Sequence, residues 1–215
     1  MSNTSAEPTI LWVGAEALLV ELGSRERAAA TYRVARELVE RNPSAARDVV
    51  PAATTVLLDG VADAEAWRAA ITAEAVGVAM RRSDEAVTSV PVAIGVRYDG
   101  ADLDAVAEAW ECSAADVVER HASTIFTVAF CGFAPGFGYC IGDPPLPIVP
   151  RRADPRPRVP AGSVALAAEY CGVYPRTMPG GWQLIGTTDA VLFDARRDPP
   201  ALLAPSTSVR FEPVR

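Results

Sequence analysis

Four arginines within eight residues form the densest group of candidate binding residues in the sequence: Arg151, Arg152, Arg156 and Arg158. The prolines between positions 150 and 160 restrict the backbone, so we expect the segment from residue 150 to Ser163 to be extended. Such a restricted chain loses little entropy when it becomes ordered. A guanidinium group can bind a carboxylate or phosphate through two parallel hydrogen bonds. The segment predicts either an anion-binding loop or a solvated basic loop that docks an acidic partner.

A second candidate is segment 130–139, in which three glycines and a proline lie among four aromatic residues. Glycine lets the backbone approach a ligand closely, and neighbouring aromatic rings can stack on a planar ligand. The alternative, which the composition favours, is a tight turn whose aromatic side chains fill a barrel. The candidate binding residues of this segment are Gly132, Phe133, Pro135, Gly136, Phe137 and Tyr139.

A third candidate is the turn Gly180-Gly181-Trp182, which comes shortly after Tyr174. Free backbone amides in such a turn can bind an anion, although the composition favours a hairpin with a buried Trp182. These residues complete the set of side chains and amides that could line a binding site.

His121 is the single histidine and ends a predicted helix, where the helix dipole favours its protonated form. It is interpreted either as a proton donor or as a structural residue, which a lone histidine more often is. The acidic pairs Asp102/Asp104 and Asp194/Asp198 are interpreted as helix caps and turns rather than as acid–base pairs.

The composition excludes several mechanisms. All 20 basic side chains are arginines, and lysine is absent. A P-loop, a Schiff-base enzyme and a biotin or lipoyl carrier each need a lysine, and a zinc site with two or three histidines needs more than His121. The four cysteines have no C-x-x-C spacing, so neither a metal site nor a redox motif is predicted.

Charge is distributed unevenly along the chain, whose net charge is −7. Residues 1–121 hold 11 arginines and 20 acidic residues, a net −9, whereas residues 122–215 hold 9 and 7, a net +2. The acidic total argues against a nucleic-acid partner, and the second half is the better place for an anion. Neither a signal peptide nor an apolar run of about 20 residues is visible, so we expect a cytoplasmic protein that does not enter a membrane.

Hydrophobic periodicity divides the chain into two predicted domains, 1–86 and 87–215. Helical spacing from the candidate cap Ser24 to Asn42, and from Asp63 to Met80, predicts two helices in the first domain. The polar residues 83–85 mark the boundary. Strand-like runs around these helices predict an α/β or α+β arrangement: Ile10–Val13, Ala17–Leu22, Thr54–Leu58 and Val90–Arg97.

The second domain begins with two predicted helices, at residues 103–110 and from the capping-box motif at Ser113 to His121. Many short strands separated by glycine and proline then predict a β-barrel or sandwich. These strands are Phe126–Phe130, Ser163–Ala167, Trp182–Thr187, Val191–Phe193 and Val209–Pro213.

The order and spacing of the motifs resemble the B-subunit family of bacterial 5-oxoprolinase. This family is also called allophanate hydrolase subunit 1 and includes the sporulation-kinase inhibitor KipI. The resemblance is carried by residues 96–103, His121, the loop 132–139, the arginine segment 150–163 and residues 174–186. It implies an α+β fold, with a small N-terminal α/β (ferredoxin-like) domain followed by a cyclophilin-like β-barrel domain.

The resemblance also implies an activity. Such a chain acts with a related C subunit, of the allophanate hydrolase subunit 2 type, and with an A subunit, to open the lactam of 5-oxo-L-proline to L-glutamate at the expense of ATP. ATP is then a substrate, and no metal or nucleic acid is implied. The implied alternatives are a KipI-like inhibitor of a histidine kinase and the carboxyltransferase module of a biotin-dependent urea carboxylase-like system.

On this hypothesis the catalytic candidates are His121, Arg151 and Arg152. Phosphorylation of the lactam oxygen would create a good leaving group, and such transfer depends on positioning and charge neutralisation, which arginines and turn amides can supply. Substrate or nucleotide binding is expected from the other residues of the three segments: Gly132, Phe133, Pro135, Gly136, Phe137, Tyr139, Arg156, Arg158, Ser163, Tyr174, Gly180, Gly181 and Trp182.

Several positions depart from the family pattern. Tyr170 and Cys171 stand where the family usually has Gln and Thr, Thr187 where it has Arg, and Ser206-Thr207 where it has Gly-Asp. Loss of an arginine removes charge and geometry that threonine cannot replace. These departures leave open a divergent paralogue that has another substrate or lacks activity of its own.

Overall fold

A computed structural model describes residues 7–61, 63–78 and 90–215 of the chain. The chain divides into two compact units, Met1–Ala86 and Val87–Arg215, here called unit 1 and unit 2. The polar boundary expected at residues 83–85 and the helix end expected at Met80 lie outside the described residues. No helix in the described ranges is long and apolar enough to cross a membrane.

The described part of unit 1 contains four strands and two helices. Ser24 caps the first helix by accepting the Arg27 amide, and Asp63 accepts the amides of Glu65 and Ala66 at the start of the second helix. Both helices were expected from the sequence, whereas β3 was not. The elements are β1 (Thr9–Val13), β2 (Ala17–Glu21), α1 (Arg25–Arg41), β3 (Asp48–Pro51), β4 (Thr55–Asp59) and α2 (Ala64–Val78).

The four strands of unit 1 form an antiparallel sheet in the order β1-β2-β4-β3. Leu18, Val20 and Leu58 point to the face on which Ala35 of α1 and Ile71 of α2 pack, so both helices cover the same face. The order and directions are those of a split βαβ arrangement in which the edge strand β1 enters through a hairpin. This is the ferredoxin-like class expected for the first domain.

Unit 2 has two short helices and a larger set of strands among its described residues. The capping box at Ser113 and Asp116 is present, with each side chain bonding the backbone of the other residue. The elements are β5 (Val92–Val96), α3 (Leu103–Ala109), α4 (Ala114–Ser123), β6 (Ile125–Cys131), β7 (Gly138–Asp143), β8 (Arg156–Val159), β9 (Ser163–Ala167), β10 (Tyr170–Val173), β11 (Met178–Gly180), β12 (Gln183–Thr187) and β13 (Ser208–Pro213).

Seven strands of unit 2 form one sheet in the order β12-β9-β10-β7-β6-β13-β5. Beyond the end of β5, Arg97 exchanges two backbone hydrogen bonds of 2.8 and 2.7 Å with Thr187 of β12. This bridge joins the two outermost strands, so the sheet is nearly closed into a barrel around buried residues such as Phe126, Ile185 and Phe211. The expected α+β fold, with a barrel-like second domain, is confirmed.

One predicted strand is wrong. Residues 191–193 do not form a strand, and Phe193 makes only an isolated β-bridge with Ala201. The Arg197 guanidinium donates to the carbonyls of Val191, Leu192, Pro199 and Pro200, so this segment bonds to a side chain where a strand would bond to a neighbouring strand. Strands β7, β8, β10 and β11 were not predicted, since their glycines, prolines and arginines conceal the strand pattern in the sequence.

A second layer covers part of the barrel sheet. All five residues of β9 are buried, because Val164 and Leu166 face the barrel core while Ala165 and Ala167 face a separate cluster. That cluster contains side chains from the 132–139 loop, from the two-stranded ribbon of β8 and β11, and from β12. The layer brings the three candidate segments onto the same outer face of the sheet.

Candidate functional site

The carboxylate of Asp102 organises the arginine segment. Its Oδ1 accepts hydrogen bonds from Arg152 Nη1 at 3.0 Å and Arg156 Nη2 at 2.8 Å. Its Oδ2 accepts from Arg156 Nη1 at 2.9 Å and from the Leu184 amide at 2.7 Å. The Asp102 side chain is only 5% exposed, so these four donors replace the water that an ionised carboxylate would otherwise bind.

The balance of burial and charge keeps Asp102 ionised. Burial by itself raises the pKa of this carboxyl, but the hydrogen bonds from Arg156 and the Leu184 amide, together with the charges of Arg156 and Arg152, outweigh it and lower the pKa. The folded protein therefore holds a buried anion between two cations at neutral pH.

Asp102 reaches this position because the preceding turn lies against β12. Its backbone amide donates to the Leu184 carbonyl at 2.9 Å. A Cβ atom at Gly100 would lie 2.3 Å from the same Leu184 carbonyl oxygen, which only glycine avoids. The Tyr98-Asp99-Gly100 turn thus places the carboxylate beside the arginine segment.

The four arginines separate into two pairs. Arg152 and Arg156 share the single carboxylate of Asp102, which leaves this trio with a charge of +1. The side chains of Arg151 and Arg158 are exposed, and neither has an ion pair or hydrogen bond with any residue in the described part of the chain. Arg151 and Arg158 are therefore the guanidinium groups open to an anionic ligand.

The aromatic residues of the second candidate segment pack around Phe137. Its ring centroid lies 5.1 Å from Tyr139, 5.5 Å from Tyr174 and 5.4 Å from Trp182, in edge-to-face contacts. Phe130 stacks on Tyr139 with the centroids 4.3 Å apart. This packing fixes the loop and leaves Tyr139 half-buried at its surface.

The turn at Gly180 and Gly181 is joined to both candidate segments. The Tyr174 hydroxyl accepts a hydrogen bond from the Trp182 amide, and a Cβ atom at Gly180 would lie 2.1 Å from that hydroxyl oxygen. The Arg152 amide donates to the Gly181 carbonyl at 2.8 Å. The turn therefore holds the arginine segment through the Gly181 carbonyl. Because the Trp182 amide is bonded to Tyr174, not all amides of the turn are open to solvent.

Arg151 lies near the aromatic residues. Burial raises the pKa of Tyr139 and of Tyr174, and the positive charge of Arg151 opposes this rise at both hydroxyls. We use the name arginine–aromatic face for the surface formed by Arg151, Arg152, Arg156, Arg158, Tyr139, Tyr174 and the 180–182 turn.

The predicted site residues differ in their exposure to solvent, and therefore in whether they can contact a ligand. Five are exposed and can meet a ligand: Gly132, Phe133, Pro135, Arg151 and Arg158. Five are half-buried: Tyr139, Arg152, Arg156, Gly180 and Gly181. The other five binding candidates are buried and shape the face from within: Gly136, Phe137, Ser163, Tyr174 and Trp182.

Phe133 combines exposure with an unusual backbone. Its φ is +65°, which a bulky side chain rarely adopts, and 59% of the residue is exposed. Hydrogen bonds from Gly132 to the Phe137 carbonyl and from Phe137 to the Ala134 carbonyl hold the loop in this conformation. Strained backbone of this kind is concentrated at ligand clamps and other functional sites.

The structure places His121 in the barrel core, which does not fit the proton donation expected of it. The residue has no exposed surface, its Nδ1 lies 2.8 Å from the Tyr98 hydroxyl, and its Nε2 lies 3.2 Å from Cys171 Sγ. Phe126 and Phe211 pack against the ring. Burial lowers the pKa of His121 to about 3, so the imidazole is neutral and acts as a structural link between Tyr98 and Cys171.

This burial predicts a pH-dependent stability. The folded-state pKa is below the ordinary value of 6.5, so the unfolded chain binds the proton first and stability falls as the pH drops below that value. Between pH 7 and pH 5.5 we expect the unfolding free energy to fall by about 1 kcal/mol from this group. Urea titrations at the two pH values measure the loss, which His121→Gln should abolish; an equal loss in the variant would contradict this assignment.

Sequence reasoning missed the role of Asp102. The residue was interpreted as a cap or turn, but as the N-cap of α3 its side chain makes no capping hydrogen bond. Its partners lie 50, 54 and 82 residues away along the chain. The available signal was an acidic residue directly after a glycine turn and ahead of an arginine-rich segment, which is too general to identify the contact.

Among the departures from the family pattern, Thr187 lies where the barrel closes. Thr187 closes the barrel with Arg97, and its hydroxyl donates to the Asp99 carboxylate at 2.9 Å. Arg97 in turn pairs with Asp189 through two hydrogen bonds. Position 187 thus belongs to a small network of threonine, arginine and carboxylates at the barrel seam.

Comparison with known proteins gives consistent results. The sequence model of the carboxyltransferase domain, subdomain C and D, matches residues 8–203. The B subunit of 5-oxoprolinase from Escherichia coli O157:H7 is 50% identical over 127 residues, which cover 58% of this chain and 58% of that protein. The protein of the same name from Bacillus subtilis (strain 168) is 41% identical over 125 residues, covering 58% and 52%. These matches span little more than half the length of the curated relatives.

Solved structures resemble the chain over most of its length. TTHA0988 has a TM-score of 0.72 and 32% identity, covering 93% of this chain and 40% of that chain. PH0987 from Pyrococcus horikoshii has a TM-score of 0.55 and 29% identity, covering 96% and 97%. The urea amidolyase of K. lactis has a TM-score of 0.74 over 100% of this chain and 15% of its own, and its 20% identity indicates a shared fold alone.

Proposed function

This chain belongs to the family of the carboxyltransferase domain, subdomain C and D, and from that premise we propose that it is one subunit of an ATP-dependent amide hydrolase of the 5-oxoprolinase type. The identity of 50% over 127 residues to the B subunit of a 5-oxoprolinase supports this proposal. The reaction converts 5-oxo-L-proline, ATP and two waters to L-glutamate, ADP and phosphate. The proposed partners are the C-type and A-type chains of such an enzyme.

The observation that carries the proposal is the arginine–aromatic face. A lactam is a poor electrophile, and transfer of a phosphoryl group to its oxygen depends on neutralising negative charge. The exposed guanidinium groups of Arg151 and Arg158 can bind the substrate carboxylate or a phosphate. The Asp102–Arg152–Arg156 trio adds a fixed charge of +1 beside them, and it needs no lysine.

The face is open, which supports a site shared with another chain. Arg151 and Arg158 are exposed on the isolated chain, so an unassisted site would leave the transferring phosphoryl group accessible to water. Exclusion of water strengthens electrostatic stabilisation and prevents wasteful hydrolysis. On this proposal the C-type partner lies over the face and completes the binding site.

The second candidate function is a carboxyltransferase module, which the family description favours. Such a module would use the same guanidinium groups to hold a carboxylated substrate. The two functions differ in their co-substrate, since the first consumes ATP with 5-oxoproline and the second needs a biotin carrier on another chain.

Reconstitution tests the proposal. The chain should be co-expressed with the A-type and C-type chains of the same organism, and ADP release measured with and without 5-oxo-L-proline. We expect ADP release to rise with 5-oxoproline and to require all the chains. No stimulation in the full complex would overturn the proposal, and carboxyl transfer from carboxybiotin instead would favour the second candidate.

A further inference from the structure

The two edges of the sheet in unit 1 differ in chemistry. The edge strand β3 contains Asp48 and Pro51, a charge and a residue without an amide proton, and both are features that discourage pairing with another chain. The opposite edge strand β1, of sequence TILWV, contains neither a charge nor a proline. Edge strand β3 therefore has residues that discourage pairing with another strand, whereas edge strand β1 has none.

Edge strand β1 is also exposed. Leu11, Trp12 and Val13 are 45%, 52% and 46% exposed, and β1 pairs with β2 on one side while no strand of the described residues pairs on the other. The Arg68 guanidinium reaches the Ile10 carbonyl at 3.5 Å, a long contact that a backbone amide could replace. A free apolar edge of this kind is a template for another strand.

An apolar row runs across the sheet to this edge. The strand registers place Leu11 beside Leu19, Leu19 beside Leu57, and Leu57 beside Val50. These four side chains lie on the face opposite the helices, since their neighbours along each strand point into the helix-covered core. The row is exposed at both ends, where Leu11 is 45% and Val50 is 40% exposed.

We propose that β1 is a dimerisation strand, and that two copies of this chain pair β1 with β1 in antiparallel fashion, centred on Leu11. Such a pair is two-fold symmetric and gives a continuous eight-stranded sheet. It places Leu11 opposite the partner's Leu11 and Ile10 opposite the partner's Trp12. The apolar rows of the two copies then meet and form one row.

The composition of β1 makes the strand compatible with a second copy of itself. Because β1 has no charged residue, antiparallel self-pairing brings no like charges together and leaves no charge against Trp12 or Leu11. The interaction is independent of the arginine–aromatic face, so it does not rest on the proposed function.

The small size of the strand sets the expected strength. Five residues and three half-exposed side chains bury less than the roughly 800 Å² per partner that is usual in stable complexes. We therefore expect a dimer that dissociates on dilution through the micromolar range. Sedimentation velocity of the full chain from about 1 to 200 μM measures this equilibrium, and a monomer at every concentration would overturn the proposal.

Matched substitutions on the two edges identify the strand. Leu11→Lys adds a charge that faces its own copy, so we expect the dissociation constant to rise at least tenfold. The control is Val50→Lys, because Val50 has a similar exposure on the opposite edge strand, β3. This substitution should leave the dissociation constant unchanged. Dimers that survive Leu11→Lys, or that are lost equally in Val50→Lys, would contradict the proposal, as would a monomeric chain that uses β1 to bind a different protein.

Cross-linking tests the register even where Leu11→Lys disturbs folding. Directly opposed residues of an antiparallel pair have Cα atoms about 4.5–5.5 Å apart, which a disulfide can span. Oxidised glutathione should therefore join two Leu11→Cys chains, releasing two equivalents of reduced glutathione per disulfide. Val50→Cys and the wild-type chain are controls, and absence of a linked dimer specific to Leu11→Cys would refute the register.

Discussion

Replacing Asp102 with alanine is expected to lower the unfolding free energy by about 3 kcal/mol, since removal of one partner leaves buried charges without compensation. The substitution leaves Arg152, Arg156 and the Leu184 amide without their shared acceptor. It should also abolish turnover of the proposed complex, because the arginine segment loses its anchor. Urea unfolding measures the first effect and 5-oxoproline-dependent ADP release the second.

Asp189→Ala is the matched control for this experiment. Asp189 also accepts two hydrogen bonds from an arginine, Arg97, but its side chain is 86% exposed. Water can replace those bonds, so we expect the unfolding free energy to remain unchanged. Asp102→Asn removes the charge but keeps the shape of the side chain. Its unfolding free energy should lie between those of the wild type and Asp102→Ala. Equal unfolding of Asp102→Ala and wild type would show that the buried carboxylate does not hold the segment.

Replacing Arg151 with alanine is expected to reduce 5-oxoproline-dependent turnover on the order of 100-fold, the usual effect of losing one group that stabilises developing negative charge. Its guanidinium is exposed and has no hydrogen bond or ion pair among the residues the structure describes, so the substitution removes neither. The unfolding free energy should therefore stay the same. Steady-state kinetics and urea unfolding, measured on the same preparations, give both quantities.

Two further variants define what Arg151 supplies. Arg151→Lys keeps the charge but loses the forked geometry, and should recover only part of the activity. Arg33→Ala removes an exposed arginine from α1 of unit 1 and should leave turnover unchanged. Normal turnover in Arg151→Ala would remove this residue from the site, and loss in Arg33→Ala would indicate a general effect of charge.

The sequence identified those elements that depend on interactions between residues close together along the chain. The caps at Ser24 and Ser113 bond to amides three residues away, so the helix starts could be predicted. The fold class followed from the order of motifs. By contrast, β8 and β11 resemble proline- and glycine-rich loops in the sequence, because the partner of each is the other and neither forms a regular pattern alone.

The candidate site could be predicted in part, as three segments but not as an arrangement. The segments do meet on one face. Which arginines are paired and which are free depends on Asp102, whose partners lie 50 or more residues away along the chain. His121 shows the same limit. From the sequence His121 could be either a proton donor or a structural residue, because Phe126, Phe211 and Tyr98 come together around the ring only in the folded barrel.

The most direct test of the central claim measures both products of the reconstituted complex in one experiment. With 5-oxo-L-proline, ATP and all the partner chains present, we expect one L-glutamate for each ADP released, and both products should fall together when Arg151→Ala replaces the wild-type chain. ADP release without glutamate, or glutamate formation that is indifferent to Arg151, would contradict a 5-oxoprolinase-type reaction at the arginine–aromatic face.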